Sequence, residues 1–150
     1  MTALPQIGTI PYPLLARFNR WCNRRFFEWA AGLTEEERRL DRGAFFGSIH
    51  NTLDHVLTVD RLWLDRIDGQ ANSTTSFKIV QIEDFERLRI ERASEDERII
   101  RMVERAVLDN ASERVISYRY MSGQEAESSM HVIFLTLFNH HAHHRGQVHC

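Results

Sequence analysis

A helical stripe near the end of the chain changes from apolar residues to histidines without losing its spacing. Its members step by 3, 4, 3, 4 and 4 positions: Met130, Ile133, Leu137, His140, His144 and Val148. Side chains three or four residues apart share one face of an α-helix, so His140 and His144 are predicted to face the core. Two inward imidazoles one turn apart are the donors that one helix can offer to a metal ion.

A third histidine, His55, lies in an earlier apolar pattern of the same kind. Val59 and Leu62 follow it at four and seven positions, which places His55 in an inward row of a second helix. Three neutral imidazoles suit a borderline divalent ion such as Zn, Ni, Cu or Fe. Three protein ligands leave positions for water or substrate, as in catalytic metal sites, and the ion lowers the pKa of a bound water or thiol.

Helical spacing alone leaves other histidine pairs open. His140 with His143, or His141 with His144, is also separated by three residues, and a lone histidine on an apolar face is often an ordinary core residue. His141 and His143 lie off the stripe and are expected beside the ligands or at the surface. Three further histidines are expected to be structural or exposed: His50, His131 and His149. The candidates for orienting the ligands are Asp54, Asp60, Asn139, His143 and Gln147.

Charge and composition exclude several functions. The formal net charge is −2 and basic residues are interleaved with acidic ones, which argues against a nucleic-acid partner. The longest apolar run, Val132 to Phe138, is far too short to cross a bilayer. Cys22 and Cys150 form no CxxC pair and the first residues show no secretory signal, so a reduced, cytoplasmic protein is expected. No HExxH, Glu-x-x-His, GxSxG or P-loop motif occurs.

Four long helices are predicted from apolar spacing and capping residues. The first runs from about Pro11 to Gly32. Its predicted inward residues are Leu15, Phe18, Cys22, Phe26, Trp29 and Leu33. The second follows the N-cap Ser48 and closes at 68–70, the third spans about 83–108, and the last begins near Ser128 or Ser129. Within the third, Glu83–Arg87 and Glu97–Arg101 have the favourable acid-before-base spacing.

Shorter elements connect these helices. Thr34 and Glu37 have capping-box spacing and predict a single short turn, and Phe45 and Phe46 are expected to lie under the bundle. Trp21 is expected in the core or in a pocket wall. Residues 69–82 are turn-rich and predict a loop across the bundle. Alternating β-formers in 113–121 and the turn signal at 122–124 predict a hairpin that ends near residue 128.

The whole chain, residues 1–150, is expected to form one domain, since 150 residues with a 43% hydrophobic share suffice for one core. Four amphipathic helices of this length bury their apolar faces best as an all-α, antiparallel four-helix bundle, here with a short β-hairpin before the last helix. The long link between the second and third helices argues against a simple up-down-up-down order.

Three strings of this sequence together resemble the signatures of the DinB family, within the DinB/YfiT-like metalloenzyme superfamily. They are SIHNTLDHVL at 48–57 with DRLWL at 60–64, FNHHAHHRGQV at 138–148, and FNRWCN at 18–23. The resemblance implies an up-down-down-up bundle and a divalent metal, usually zinc or nickel, on His55, His140 and His144. It also implies a homodimer formed through helix–helix contacts, as in many relatives, and it does not imply DNA binding.

Characterised members of that family include S-transferases that use bacterial low-molecular-weight thiols and a thiol-dependent maleylpyruvate isomerase. The leading hypothesis is therefore a metal-dependent enzyme of the thiol S-transferase type, with a small-molecule substrate and a low-molecular-weight thiol as co-substrate. Arg145 is a candidate for holding an anionic thiol, with a surface role at the helix end as the alternative. The alternative functions are a metal-dependent hydrolase and a non-catalytic metal-binding stress-response protein.

The sequence stops at Cys150, where relatives usually continue. Either the domain is shortened or a C-terminal element is missing, and such an element would supply part of a pocket wall or of a dimer surface. Neither possibility removes a predicted ligand.

Overall fold

Helices dominate the computed structural model, which describes residues 11–70, 80–111 and 113–149. The elements in chain order are α1 (Tyr12–Ala31), α2 (Glu35–Arg39), α3 (Ile49–Ile67), α4 (Phe85–Leu108), β1 (Val115–Arg119), β2 (Glu125–Ser129) and α5 (Met130–His149). The predicted four-helix bundle with a hairpin before its last helix is confirmed. Most of the predicted loop at 69–82 lies outside the described residues.

The helix starts are set by the capping residues that the sequence indicates. Thr34 and Glu37 form a complete capping box, in which each side chain accepts a hydrogen bond from the backbone N–H of the other residue. The Ser48 hydroxyl accepts from the N–H of Asn51 at the start of α3. Asp84 caps α4, which therefore begins at Phe85 and not at the predicted 83.

Contacts along α1 show how it runs relative to its neighbours. Tyr12, at the start of α1, bonds His131 at the start of α5, and Asn19 bonds Arg145 further along both helices. The two helices are therefore parallel. Against α4 the order reverses, because the other end of α1 stacks Phe27 on Phe85, the first residue of α4.

The helices α3 and α4 run in the same direction, which makes the topology up-down-down-up. Arg61 of α3 pairs with Glu91 of α4, and Asp65 pairs with Arg98 one to two turns further along both helices. Since α4 is antiparallel to α1, and α5 is parallel to it, α1 and α5 run one way and α3 and α4 the other. The predicted connection order is confirmed. Strands β1 and β2 pair antiparallel from Val115 opposite Ser129 to Arg119 opposite Glu125.

The core consists of two apolar clusters with buried polar residues between them. One cluster joins the start of α1 and α5 to the ends of α3 and α4, and the other joins the opposite ends of the bundle. The polar residues between the clusters, here called the polar layer, are Asn19, Asn23, Asp60, Arg92, Asp96, His141 and His144. Such a layer is tolerated in a core only when its groups bond one another or a ligand.

The predicted inward face of α1 is only partly confirmed. Leu15, Phe26 and Leu33 pack against the two apolar clusters, but they are only partly buried. Phe18 is 53% exposed and Trp29 48%, whereas the buried residues are Tyr12, Ala16, Asn19, Asn23, Phe27 and Ala30. The error has a physical cause. The buried row holds two asparagines of the polar layer and two small alanines, so its hydropathy is lower than that of the neighbouring aromatic row.

Other expectations at the surface also differ from the structure. Phe45 is 83% exposed and is not under the bundle, although Phe46 is partly buried. Trp21 is exposed and not in the core, but it lines a cleft between α1 and α4, which agrees with the second of its two predicted positions, a pocket wall. Among the described contacts, the two predicted acid-before-base pairs, Glu83–Arg87 and Glu97–Arg101, are replaced by ion pairs between different helices or loops. Glu83 pairs with Arg39, and Glu97 pairs with Arg20. No described helix combines the length and hydropathy that a bilayer crossing requires.

Candidate metal centre

Two neighbouring helices bring the three selected histidines to one point beside the polar layer. His55 lies in the middle of α3, and His140 and His144 lie one turn apart on α5, which packs against α3. The apolar residues of the same α5 stripe, Ile133 and Leu137, are buried. Because the stripe fixes which side of α5 faces the bundle, it also directs the two histidines toward α3.

The three rings turn the same nitrogen toward one another. The Nε2 atom of His140 lies 3.2 Å from Nε2 of His55 and 2.9 Å from Nε2 of His144. One nitrogen of each ring lies within 4.8 Å of one nitrogen of each of the others. Among the described residues, no carboxylate or thiol joins this group of donor atoms.

This spacing fits a divalent ion. Two imidazole nitrogens bound to one tetrahedral zinc ion at 2.0–2.1 Å lie about 3.4 Å apart. The Nε2 separations of 2.9 and 3.2 Å are close to that value. Three nitrogen donors, with no fourth protein ligand in the part of the chain that the structure describes, match the ligand set of an open metal site. His55, His140 and His144 are thus the residues that would hold the metal.

Two further side chains orient the rings. The Oε1 atom of Gln147 lies 2.7 Å from Nδ1 of His144. Because this oxygen accepts, the proton of a neutral His144 lies on Nδ1 and the lone pair on Nε2, toward the other rings. The ring of Phe46 stacks on His55 with centroids 3.9 Å apart, and it lies 5.5 Å from the ring of His144. Phe46 therefore forms an apolar wall of the site.

The surroundings keep these histidines neutral. Burial, and then the nearby ring of His144, lower the pKa of His55 from 6.5 to about 4. The same two causes lower the pKa of His140 to about 3. Burial also lowers the pKa of His144, against the opposing effect of its bond to Gln147. Neutral imidazoles offer lone pairs at neutral pH, which metal binding requires.

The metal-free protein is expected to lose stability as the pH falls from about 6.5 toward 4. In that window the unfolded state protonates His55 and His140 while the folded rings stay neutral. The unfolded state then binds more protons than the folded state, so the free energy of unfolding decreases as the pH decreases. We expect a loss of ~2 kcal/mol between pH 7 and pH 5 from these two rings, allowing for their partial exposure. Urea unfolding with a chelator present measures it.

Two variants complete that test. The double variant His55→Gln, His140→Gln removes both groups and should flatten the pH dependence of unfolding. The variant His143→Gln changes an exposed histidine on the same helix and should leave the dependence as in the wild type. Equal pH dependence in the wild type and in the double variant would show that the depressed pKa values have no effect on stability.

The other predicted ligand-orienting residues have different positions. Asp54 accepts from the backbone N–H groups of Gln81 and Ile82, so it holds that segment against α3 and bonds none of the three rings. Asn139 is exposed, because it lies on the side of α5 opposite to the one on which His141 is buried. His143 is also exposed, and its ring packs against the edge of His144 at 4.9 Å. None of these three residues makes a described hydrogen bond that would orient a ring of the centre.

Asp60 bonds His141 and not a ring of the centre. His141 is completely buried, with Nε2 2.8 Å from Oδ2 of Asp60, so it is not a surface residue. Of the other histidines, His50 bonds the carbonyl of Ile82, and His131 bonds Tyr12, as expected of structural residues.

Arg145 does not point into the centre. Its Nη1 donates to Oδ1 of Asn19 at 2.7 Å and so connects α5 to α1. The idea that Arg145 holds an anionic thiol therefore lacks support from its contacts, and the guanidinium is half-buried, so it is not at a free surface either.

Sequence reasoning missed most of the polar layer. Asn23, Arg92 and Asp96 are buried, and they bond one another across α1 and α4. A signal was present, because Asn19 and Asn23 stand four apart, as do Arg92 and Asp96, and each pair shares one helix face. The neighbouring aromatic row of α1 is more apolar, and hydropathy therefore favours it as the inner face over the row that carries the asparagines.

Two clefts lie near the centre. One of about 450 Å³ runs along the loop before α3 and the end of α5, and Gln147 and His143 are in its wall. A larger one, of about 720 Å³, lies between α1 and α4. None of the three histidines is in the wall of either cleft, but His144 lines a third, much smaller cavity of about 20 Å³ together with His141. The first is better placed for the site, since Gln147 contacts both the cleft and His144.

Comparison with known proteins agrees with this architecture. The chain matches the model of the DinB family over residues 6–150, nearly its whole length. No curated protein matches it.

Proposed function

The chain belongs to the DinB family, and on that premise we propose that it is a divalent-metal-dependent enzyme of the thiol S-transferase type. His55, His140 and His144 hold the metal, zinc or nickel. A low-molecular-weight thiol loses its proton, and its sulfur forms a bond to an electrophilic carbon of a small-molecule substrate while the bond from that carbon to the leaving group breaks. The observation that carries the proposal is the convergence of three Nε2 atoms with no fourth protein donor among the described residues.

The bound ion would supply one property, a lowered pKa of a thiol or water at the open position. The residues of the chain supply the rest. Gln147 holds His144 in the tautomer that presents Nε2. Phe46 covers the ring of His55 and excludes water on that side. The low pKa values of His55 and His140 keep protons from competing for the donor nitrogens at neutral pH.

The cleft beside Gln147 is the proposed substrate site. Its volume of about 450 Å³ is in the range of small-molecule pockets. The walls combine the apolar Val148 and Ile49 with the polar Thr52 and the basic Arg42. This mixture suits a small, partly apolar molecule that carries negative charge.

The protein loaded with zinc or nickel is expected to turn over an electrophilic substrate only when a thiol is added. The reason is that no Cys thiol or carboxylate joins the group of three histidines among the described residues. Turnover is tested with a panel of low-molecular-weight thiols and electrophiles, and the disappearance of free thiol measures its rate. The control is the same protein with the metal removed by a chelator.

The other outcomes separate the alternative functions. Turnover that needs the metal but no thiol would favour a hydrolase, in which water takes the place of the thiol. A fully loaded protein that is inactive across the panel would favour a non-catalytic metal-binding protein. Either result would reject the transferase proposal while leaving the metal site itself intact.

A further inference from the structure

A chain of buried polar contacts lies directly behind the metal centre. Asp60 of α3 accepts from Nε2 of His141 at 2.8 Å and is ion-paired with Arg92 of α4. Arg92 in turn lies 3.0 Å from Asp96, which accepts from Asn23 of α1 at 2.8 Å. All five side chains are 6% exposed or less. The contacts therefore connect all four long helices at one level of the bundle.

The bond between Asp60 and His141 joins the same two helices that supply the metal ligands. His55 and Asp60 are both on α3, and His141 directly follows His140 on α5. Consecutive residues of a helix point about 100° apart. With His141 fixed on one side of α5, the direction of His140 and His144 is fixed as well.

Asp60 is itself held in place. The carboxylate is completely buried, which alone would raise its pKa, but His141 and Arg92 overcome this and the pKa of Asp60 is lowered. Asp60 is thus an anion that its partners hold in position.

We propose that Asp60 is a positioning residue for the metal site, which it serves by fixing His141 and with it the rotation of α5. The ring nitrogens lie roughly 5–6 Å from the helix axis, so a rotation of ~10° displaces them by ~1 Å. Metal–ligand distances tolerate only about 0.2 Å. The proposal rests on the proposed function only in taking the three histidines as ligands.

The variant Asp60→Asn is expected to bind zinc about tenfold more weakly and to change the visible absorption of bound Co²⁺. It keeps the shape of the side chain but removes the charge that holds both His141 and Arg92, and lost outer partners typically cost roughly 10- to 100-fold in affinity. Zinc affinity is measured by competition with a chromophoric chelator. Asp54→Asn is the matched control, because Asp54 is also a buried carboxylate of α3 but bonds the backbone of 81–82.

A pair of variants at His141 separates positioning from the charge of Asp60, which both variants retain. His141→Gln keeps an N–H donor for Asp60 and should preserve most of the zinc affinity. His141→Leu removes the donor and should weaken zinc binding about as much as Asp60→Asn. This pair also decides the matter if Asp60→Asn does not fold.

A purely structural role would give a different result. It would lower the melting temperature of Asp60→Asn and His141→Leu but leave the zinc affinity and the Co²⁺ spectrum as in Asp54→Asn, which would overturn the proposal. Wild-type protein that binds no zinc would overturn the metal site itself. The two failures are thus distinguished by the wild-type titration.

Discussion

Replacing His55 with alanine is expected to abolish stoichiometric binding of a divalent ion. His55 is the ligand that α3 contributes, and without it only His140 and His144 remain, one turn apart on α5. We expect affinity to fall by ~1,000-fold or more, beyond the roughly 10- to 100-fold cost of an outer partner. Elemental analysis of protein purified without a polyhistidine tag measures occupancy, since such a column can itself supply nickel. Thiol-dependent turnover should disappear with the metal.

The control for this experiment is His143→Ala. His143 is a histidine on α5 beside His144, but it is exposed and its nitrogens are outside the group of converging donors. It should keep full occupancy, while His140→Ala should lose it as His55→Ala does. Full occupancy in His55→Ala would reject the assignment of the site, and equal loss in His143→Ala would show that the histidine-rich segment binds metal unspecifically.

The position of the three histidines was predictable because each one continues an apolar row. Burial of Ile133 and Leu137 fixes the rotation of α5, and the ring positions of His140 and His144 follow from helical geometry. For His55, the neighbouring row on α3 gives the same information. That the rows of α3 and α5 meet could be predicted only from the bundle. The number and length of the amphipathic helices were sufficient to predict that bundle.

The inner side of α1 was not predictable by the same reasoning. Hydropathy assigns the core to the most apolar row, but the row that is buried carries Asn19 and Asn23. These asparagines are stable inside only because Arg145 and Asp96 on other helices bond them. Their spacing of four residues shows that the two asparagines share one face, but it does not reveal partners more than 70 residues away in sequence, so hydropathy still favours the aromatic row.

The roles of the two acidic candidates on α3 show the same limit. Asp54 is adjacent to His55 in sequence, yet its carboxylate bonds the backbone of 81–82. Asp60 is five residues away, yet it bonds the histidine next to a proposed ligand. The sequence indicated both as candidates for orienting the ligands, but which group each one meets depends on the packing of α4 and α5 around α3.

Replacing Arg92 with methionine is expected to destabilise the protein by about 3–5 kcal/mol at pH 7. Arg92 is 3% exposed and pairs with both Asp60 and Asp96. Methionine fills a similar volume but leaves two carboxyl groups buried near each other without a cation. Burial already raises the pKa of Asp96. Guanidinium unfolding of the metal-free protein, with the slope compared between variants, measures the loss.

The matched control is Arg61→Met, one residue after Asp60 on the same helix. Arg61 pairs with Glu91 and so also connects α3 to α4, but both side chains are partly exposed. Its longer contact of 3.7 Å is to the buried Glu95, which keeps Arg98 as a closer partner when Arg61 is removed. Water can solvate the remaining carboxylate there, so the loss should be about 1 kcal/mol or less. If the two variants lose the same free energy of unfolding, the burial of Arg92 and its carboxylate partners does not increase their contribution to stability. If Arg92→Met loses several times more, the polar layer stabilises the bundle at the level where the metal site is built.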